Sequence, residues 1–418
     1  MTKRAILLPL LTLWAAATLA QALPSNNLLG TWSGKLKVGA SSLRIVFQLT
    51  PAEGDVQVTM DSPDQGARGI PAVKEFISND SLAVKIERLG VNYSARLVDG
   101  KLCGTFKQVS FSAPFVLSKG EDKVKRPQTP QKPFPYTTQE VTFHNAKDNA
   151  TLAGTLTWPV GYDPKSKVKP AVVLLVSGSG QQNRDEEIFE HKPFLVIADF
   201  LARQGIASLR YDDRATGASV GGDLANATTE SFSRDAAAGL DFLRKKNAFS
   251  KVGLVGHSEG GAIAFILGAQ GKADFIVSMA GMGAKGDTVV VAQQNRIAEL
   301  MGQKLHMTVE KLRQDKNIMG NPWFRWFIDY DPSSDIAATR CPVLAINGDL
   351  DCQAISQQNL RAIERLLPKN KKNCVKEYPG LNHLFQHCQT GSGNEYRQIE
   401  ETIAPQVLSD IANWIKGL

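Results

Sequence analysis

The run Val252-Gly253-Leu254-Val255-Gly256-His257-Ser258-Glu259-Gly260-Gly261 constrains this chain more than any other feature. An apolar strand passes through G-x-S-x-G straight into a helical pattern, with no residues left for a loop. So sharp a turn crowds the backbone at the serine, and positions two residues to either side must be glycine or very small. The turn lifts the Ser258 hydroxyl above the sheet edge. It also aims the Glu259 N–H and the positive end of the helix at the same point. G-x-S-x-G alone is common and reads as a glycine-rich turn; the flanking strand and helix give it weight here.

The pattern around that turn is regular. From about residue 137, Glu140 to His144 and Leu152 to Pro159 read as a β-hairpin, and Ala171–Ser177 is a continuous apolar run, as in a strand covered on both faces. A helix over Lys192–Gln204 stops at Gly205. There follow strand Ile206–Tyr211, helix Thr229–Lys246, strand Val252–Val255, helix Gly260–Gln270 and strand Phe275–Met279. After an interruption between about Met282 and Ile336 the alternation resumes with strand Val343–Ile346, a helix near Ala354–Leu367, strand Cys374–Tyr378 and helix Pro405–Ile415. Strands alternating with helices predict an α/β fold on a mainly parallel sheet.

The first part of the chain obeys a different period. Leu43, Ile45, Phe47 and Leu49, then Leu82/Val84/Ile86 and Val91/Tyr93/Ala95/Leu97, alternate with polar residues between Gly, Asn and Asp turns. Residues 23–118 are therefore expected to form a small antiparallel barrel or sandwich, an accessory all-β domain. Pro127, Pro130, Pro133 and Pro135 mark 119–136 as an extended linker, and 137–418 as the catalytic domain. Before all this, Lys3 and Arg4, the apolar Ala5–Ala20 and the small-x-small Ala20-Gln21-Ala22 read as a signal peptide cleaved after Ala22. The expected product is an exported protein, periplasmic or extracellular, without a stable membrane anchor.

A serine hydroxyl is a poor nucleophile near neutral pH, so a base must take its proton and an acid must orient that base. In a strand–elbow–helix fold of this kind the chain order is Ser, acid, His. Gly348-Asp349-Leu350-Asp351 follows the next-to-last strand and Gly380-Leu381-Asn382-His383 the last. Both lie at C-terminal strand ends, on the edge that carries Ser258 and where open α/β sheets bind ligands. Asp351 is preferred over Asp349 because it stands further out on a loop able to turn back. His383 is preferred over His387, which lies further from the strand; His144, His191, His257 and His306 have no comparable position.

The second oxyanion donor, beside the Glu259 N–H, is expected from Ser177-Gly178-Ser179-Gly180-Gln181, with the Ser179 N–H as donor. Asn183-Arg184-Asp185-Glu186 and Tyr211-Asp212-Asp213-Arg214 lie on the same edge and read as a salt-bridge network supporting the loops. The interruption at 282–336 stands where a lid would. Its Trp323, Phe324, Trp326 and Phe327 either line an apolar acyl or aryl pocket or glue the lid to the core, and the sequence favours neither.

Composition narrows the partners. Loss of the leader lowers the net charge from +7 to +5, and the remaining basic residues are scattered apart from a mild concentration at Lys123–Lys132, so no nucleic-acid footprint is expected. The five cysteines, Cys103, Cys341, Cys352, Cys374 and Cys388, lack metal-ligand spacing, so neither a metal nor any cofactor is expected. Cys341 and Cys374 begin adjacent strands, and Cys352 and Cys388 follow them, which suggests disulfides 341–374 and 352–388 with Cys103 free.

At these motifs the chain resembles bacterial α/β-hydrolases, secreted serine esterases with an N-terminal β-domain. The matching elements are Ser177-Gly178-Ser179-Gly180 with Arg184-Asp185-Glu186, and Arg210-Tyr211-Asp212-Asp213-Arg214. Gly256-His257-Ser258-Glu259-Gly260-Gly261 and Leu381-Asn382-His383-Leu384-Phe385-Gln386 complete the set. Ala215 stands where that pattern often has glycine, and Gln181-Gln182-Asn183 replaces a Pro- and Asp-containing stretch. The resemblance implies an α/β-hydrolase fold, hydrolysis of a small carboxylic ester without metal, and the triad Ser258, Asp351 and His383. Peptidase or thioesterase action on the same fold, and a binding protein with a vestigial triad, are the alternatives.

Overall fold

Eight strands close into an antiparallel barrel in the first part of the chain: β1 (Gly30–Val38), β2 (Ser41–Ala52), β3 (Asp55–Ser62), β4 (Ala67–Ile77), β5 (Ser81–Ile86), β6 (Val91–Val98), β7 (Lys101–Gln108) and β8 (Phe111–Lys119). The structure, a computed structural model, describes residues 27–39, 41–52, 55–65, 67–120 and 124–418; the leader expected over 1–22 lies outside them. Period-2 alternation turns one side of each strand inward. Trp32, Phe47, Leu49, Met60, Val84, Tyr93, Leu102 and Phe115 form a single buried cluster, while Cys103, out of phase with Leu102, is exposed. The polar tips of the large inner residues are satisfied: Trp32 Nε1 donates to the Leu28 carbonyl at 2.7 Å and the Tyr93 hydroxyl to that of Leu102 at 3.1 Å.

The described residues from Val124 onward form a second compact unit. Its sheet contains β9 (Thr138–Asn145), β10 (Ala150–Thr157), β11 (Val172–Val176), β12 (Ala207–Tyr211), the short β13 (Val220–Gly221), β14 (Val252–His257), β15 (Ile276–Met279), β16 (Val343–Gly348) and β17 (Cys374–Tyr378). The order is β13-β10-β12-β11-β14-β15-β16-β17, with β9 paired to β10. The pairs from β12–β11 to β16–β17 are parallel, and β10 runs antiparallel to its neighbours. Helices α1 (Pro193–Arg203), α2 (Thr229–Lys245), α3 (Glu259–Ala269), α4 (Gly286–Leu300), α5 (Val309–Gln314), α6 (Lys316–Gly320), α7 (Pro322–Asp329), α8 (Ser333–Ala338), α9 (Ser356–Leu366) and α10 (Pro405–Lys416) complete the unit. This is the α/β-hydrolase architecture, with α4–α8 inserted between β15 and β16.

Both faces of the sheet are covered, which is why its central strands read as unbroken apolar runs. Val172, Leu174 and Val176 of β11 join Leu240 and Leu243 of α2, Ile263 and Leu267 of α3, and Leu360 and Ile363 of α9. Val173 and Leu175 face the other way, onto Ile197 and Leu201 of α1 and Val407 and Ile411 of α10. Helix starts follow local chemistry: Pro193 and Pro405 occupy the first turns of α1 and α10, and Thr228 with Ser231 makes a capping box for α2.

The proline-rich stretch is tied to the second unit. The Arg126 guanidinium donates to the carbonyls of Phe189, Arg397 and Ile399 at 2.8 to 2.9 Å, and Gln128 Nε2 donates to that of Ile403 at 2.7 Å. All five cysteines are free thiols, which corrects both expected disulfides. Strand register pairs Leu344 with Cys374, leaving Cys341 three residues further back, ahead of the start of β16, about 10 Å away at ~3.3 Å per residue and beyond disulfide reach. Cys352 is buried, and Cys388 directs its Sγ to the Gly380 carbonyl at 3.7 Å instead. Among the described residues no helix is long and apolar enough to cross a membrane.

Candidate active site

Ser258 sits at the junction of β14 and α3 with φ 55° and ψ −115°, a conformation that L-residues adopt only under constraint. The constraint is visible: a side chain at Gly256 would collide with the backbone of Gly260, so strand and helix cross here at closest approach. The serine is pinned by its N–H to the Met279 carbonyl at 2.8 Å and by its own carbonyl to the Gly261 N–H at 2.9 Å.

The loops after β16 and β17 bring Asp351 and His383 together. His383 Nδ1 lies 2.8 Å from Asp351 Oδ2, and both side chains are buried. The other carboxylate oxygen of Asp351 accepts the N–H groups of Gln353 at 2.7 Å and Ala354 at 2.9 Å, which fixes the acid's orientation. Asp349 is turned elsewhere, accepting the Gly380 N–H at 2.7 Å, and His387 pairs with Glu401 at the surface. Ser258 and His383 line one cavity of about 310 Å³ with Gly178, Ser179 and Glu259.

Ser179 and Glu259 both line that cavity, and the backbone N–H of neither has a hydrogen-bond acceptor among the described residues. Gly178 passes close to the serine: a Cβ there would lie 3.1 Å from that of Ser258, a tight contact that glycine avoids. The Glu259 side chain is also buried, accepting Trp323 Nε1 at 2.9 Å. Burial raises its carboxyl above the usual range, against hydrogen bonds that include the one from Trp323.

Helix α7 presents Trp323, Phe324 and Phe327 to the cavity, where Met282, Val289 and Val290 add apolar wall. Trp326 departs from the expected set. A helical step of 100° per residue carries it off the face shared by 323, 324 and 327, and it stacks on Tyr330 with centroids 4.8 Å apart.

Ion pairs hold the loops around this opening. Arg184 grips Asp212 through Nε and NH2 at 3.1 and 2.7 Å and also reaches Glu140; Arg210 pairs with Asp185; the buried Arg214 is held by Asp235 at 2.7 and 2.9 Å. Asp213 is different, for among the described residues it has hydrogen bonds but no cation as an ion-pair partner. It accepts the Ser177 hydroxyl at 3.1 Å and the Gln182 N–H at 2.9 Å. Burial pushes its carboxyl up to about 8 despite those bonds.

A carboxyl with a raised folded-state pKa stabilises the fold most below its unfolded value, and that stability is lost as pH rises through the folded value. The wild-type melting temperature is thus expected to fall between about pH 4 and 8 for this reason, and Asp213→Asn, a neutral stand-in for the acid, to flatten that slope. Thermal melts of the two proteins across this range check it; equal slopes would contradict it.

The sequence set His257 aside as a candidate base and read Glu186 only as part of a salt-bridge network; the structure pairs the two with each other. His257 is buried, with Nδ1 3.0 Å from Glu186 Oε1 and Nε2 3.0 Å from the His383 carbonyl oxygen. Its ring lies 4.8 Å from that of His383. Burial alone would keep it neutral; the Glu186 carboxylate, their hydrogen bond and the His383 carbonyl outweigh that and raise its pKa. The adjacency of His257 to the serine was legible, but its partners lie 71 and 126 residues away. Among the described residues no group of three or more His, Cys, Asp or Glu side chains is arranged to hold a metal ion.

Comparison with known proteins places residues 190–387 in a match to the family model described as serine aminopeptidase, S33. Esterase EstD of Thermotoga maritima is 28% identical over 277 residues, which are 63% of this chain and 65% of that protein, just under two thirds of its length. Among solved structures, the Pyrococcus furiosus esterase Pf2001 aligns with 71% of this chain and 99% of its own at 16% identity and a TM-score of 0.46. Est1E from Butyrivibrio proteoclasticus aligns with 66% and 98% at 16% identity and a TM-score of 0.44.

Proposed function

We propose that this protein is a serine carboxylesterase acting on small carboxylic esters through Ser258, His383 and Asp351. The observation that carries the reading is the buried 2.8 Å contact between Asp351 and His383 Nδ1, opening on the same cavity as a serine held at a strained elbow. That contact puts the proton on Nδ1 and leaves Nε2 as the basic nitrogen.

In the proposed reaction the Ser258 Oγ attacks the ester carbonyl while His383 takes its proton. The new Oγ–C bond gives a tetrahedral oxyanion received by the N–H groups of Ser179 and Glu259. Collapse breaks the bond to the alkoxy oxygen, and His383 returns the proton to the departing alcohol. Water, deprotonated by the same imidazole, then attacks the acyl-enzyme, releases the acid and restores the serine. Asp351 holds the imidazolium throughout. Trp323, Phe324 and Phe327 supply an apolar wall suited to an acyl or aryl group.

The relative named an esterase supports this choice of substrate, and the family description adds a peptidase as the rival to test. Hydrolysis of p-nitrophenyl acetate, butyrate and octanoate, measured beside alanine p-nitroanilide, separates the two. Esters are expected to be cleaved faster, with the chain-length preference sizing the pocket. Faster anilide cleavage would move the assignment to a peptidase. Folded protein that cleaves neither and resists a fluorophosphonate probe would be a binding protein with a silent triad. The leader pattern extends the proposal to an exported enzyme beginning after Ala22, which N-terminal sequencing of the mature protein checks.

A further inference from the structure

A serine hydrolase needs its oxyanion donors and its base fixed relative to one another, because both act on the same few atoms in the transition state. In this chain one donor, the Ser179 N–H, and the base come from loops far apart in sequence, the Ser177–Gln181 loop after β11 and the loop after β17, while the other donor, Glu259, stands beside the serine at the start of α3. Neither loop belongs to a helix or strand that would hold it rigid. One buried pair joins them. Glu186 Oε1 accepts the Gly178 N–H at 2.8 Å, beside the Ser179 donor, and on its other side meets His257 Nδ1 at 3.0 Å. His257 Nε2 then reaches the backbone carbonyl of His383 at 3.0 Å.

We propose that Glu186 and His257 are positioning residues that couple the oxyanion loop to the loop of the catalytic base through one continuous hydrogen-bonded bridge. The inference rests on the serine-hydrolase reading above and adds to it residues that touch neither the scissile bond nor the serine proton. Both ring nitrogens of His257 face acceptors, a carboxylate and a carbonyl. Only the doubly protonated imidazolium donates to both, and the raised pKa of His257 agrees with that form. Burial sharpens the arrangement, since Glu186 and His257 are 5% and 7% exposed and water has little chance to substitute for either link. The His257 ring, 4.8 Å from that of His383, also backs the base against tilting. His257 rides on the strand end beside Ser258, so the bridge references both loops to the nucleophile.

The two links can be cut one at a time. A glutamine amide nitrogen stands near the place of Nε2, so His257→Gln keeps a donor for the His383 carbonyl and loses the one for Glu186. An asparagine amide nitrogen stands near Nδ1, so His257→Asn does the reverse. If the bridge acts as a whole, each variant loses about 10- to 100-fold in kcat on p-nitrophenyl butyrate, the penalty of misplacement on the order of 1 Å, while KM changes by less than about threefold. The rate of fluorophosphonate labelling at Ser258 falls in parallel. Glu186→Ala is expected to match them, and Glu186→Gln, which still accepts from Gly178, to recover part of the loss; this pair provides the test should either His257 variant fail to fold.

A folded His257→Gln, His257→Asn or Glu186→Ala protein, with a wild-type circular dichroism spectrum and a kcat within about twofold of wild type, would overturn the bridge, since positioning predicts a loss of about 10- to 100-fold. Failure of the underlying reading looks different, because the wild-type protein itself would then resist the probe.

Discussion

Replacing Ser258 with alanine is expected to lower kcat on p-nitrophenyl butyrate by about 10⁵- to 10⁶-fold, down to the turnover that binding and oxyanion donors alone provide. In the proposed mechanism the hydroxyl is the atom that forms the acyl-enzyme, and among the described residues lining the cavity no other side chain stands at the elbow between β14 and α3 with its hydroxyl or thiol beside His383. KM should change little, because the acyl pocket formed with α7 is untouched. The fold should survive as well. Strain at the elbow is a property of the backbone between Gly256 and Gly260, and alanine accepts it no worse than serine. Steady-state kinetics on protein of verified melting temperature measure this. Residual activity within tenfold of wild type would remove Ser258 from the mechanism.

Asp351→Asn is expected to cost about 10⁴-fold in kcat, and the reason lies in how the acid is held. Asp351 Oδ1 accepts the N–H groups of Gln353 and Ala354, so in the variant the amide oxygen is retained there. The NH₂ group is then left facing His383 Nδ1, where the carboxylate oxygen had been 2.8 Å away. A donor in that place forces the proton of His383 onto Nε2, the nitrogen that must accept from Ser258. The imidazolium that forms during reaction also loses its facing charge. The defect is thus one of tautomer and electrostatics rather than substrate binding, and kcat should fall with KM nearly constant. A loss below about tenfold would show that another group orients the base.

Much of this protein was written in local pattern. Period-2 alternation announced the barrel strands, because one side of each strand is buried and the other is wet. Unbroken apolar runs announced the central strands of the sheet, because helices cover both faces. The elbow at Ser258 was legible because its crowding demands glycine at fixed offsets, and the chain order of the motif located Asp351 and His383. Trp326 shows where such inference ends. The aromatic run marks a cavity wall, but which rings face inward depends on the phase of α7, set by its packing on α4 and α6.

The disulfide expectation failed for a related reason, since β16 and β17 are neighbours as expected but their register separates Cys341 from Cys374. The sequence by itself determined the order of elements, the strained turn at Ser258 and the strand ends that carry Asp351 and His383, all consequences of interactions between residues close along the chain. Only the tertiary structure decided that Asp351 rather than Asp349 meets His383, that Asp213 is buried with no cation beside it among the described residues, and that Glu186 and His257 contact each other, Gly178 and the His383 carbonyl. Those contacts depend on which loops meet above the sheet edge. Residues 71 and 126 positions apart carry no periodic or spacing signal of their meeting.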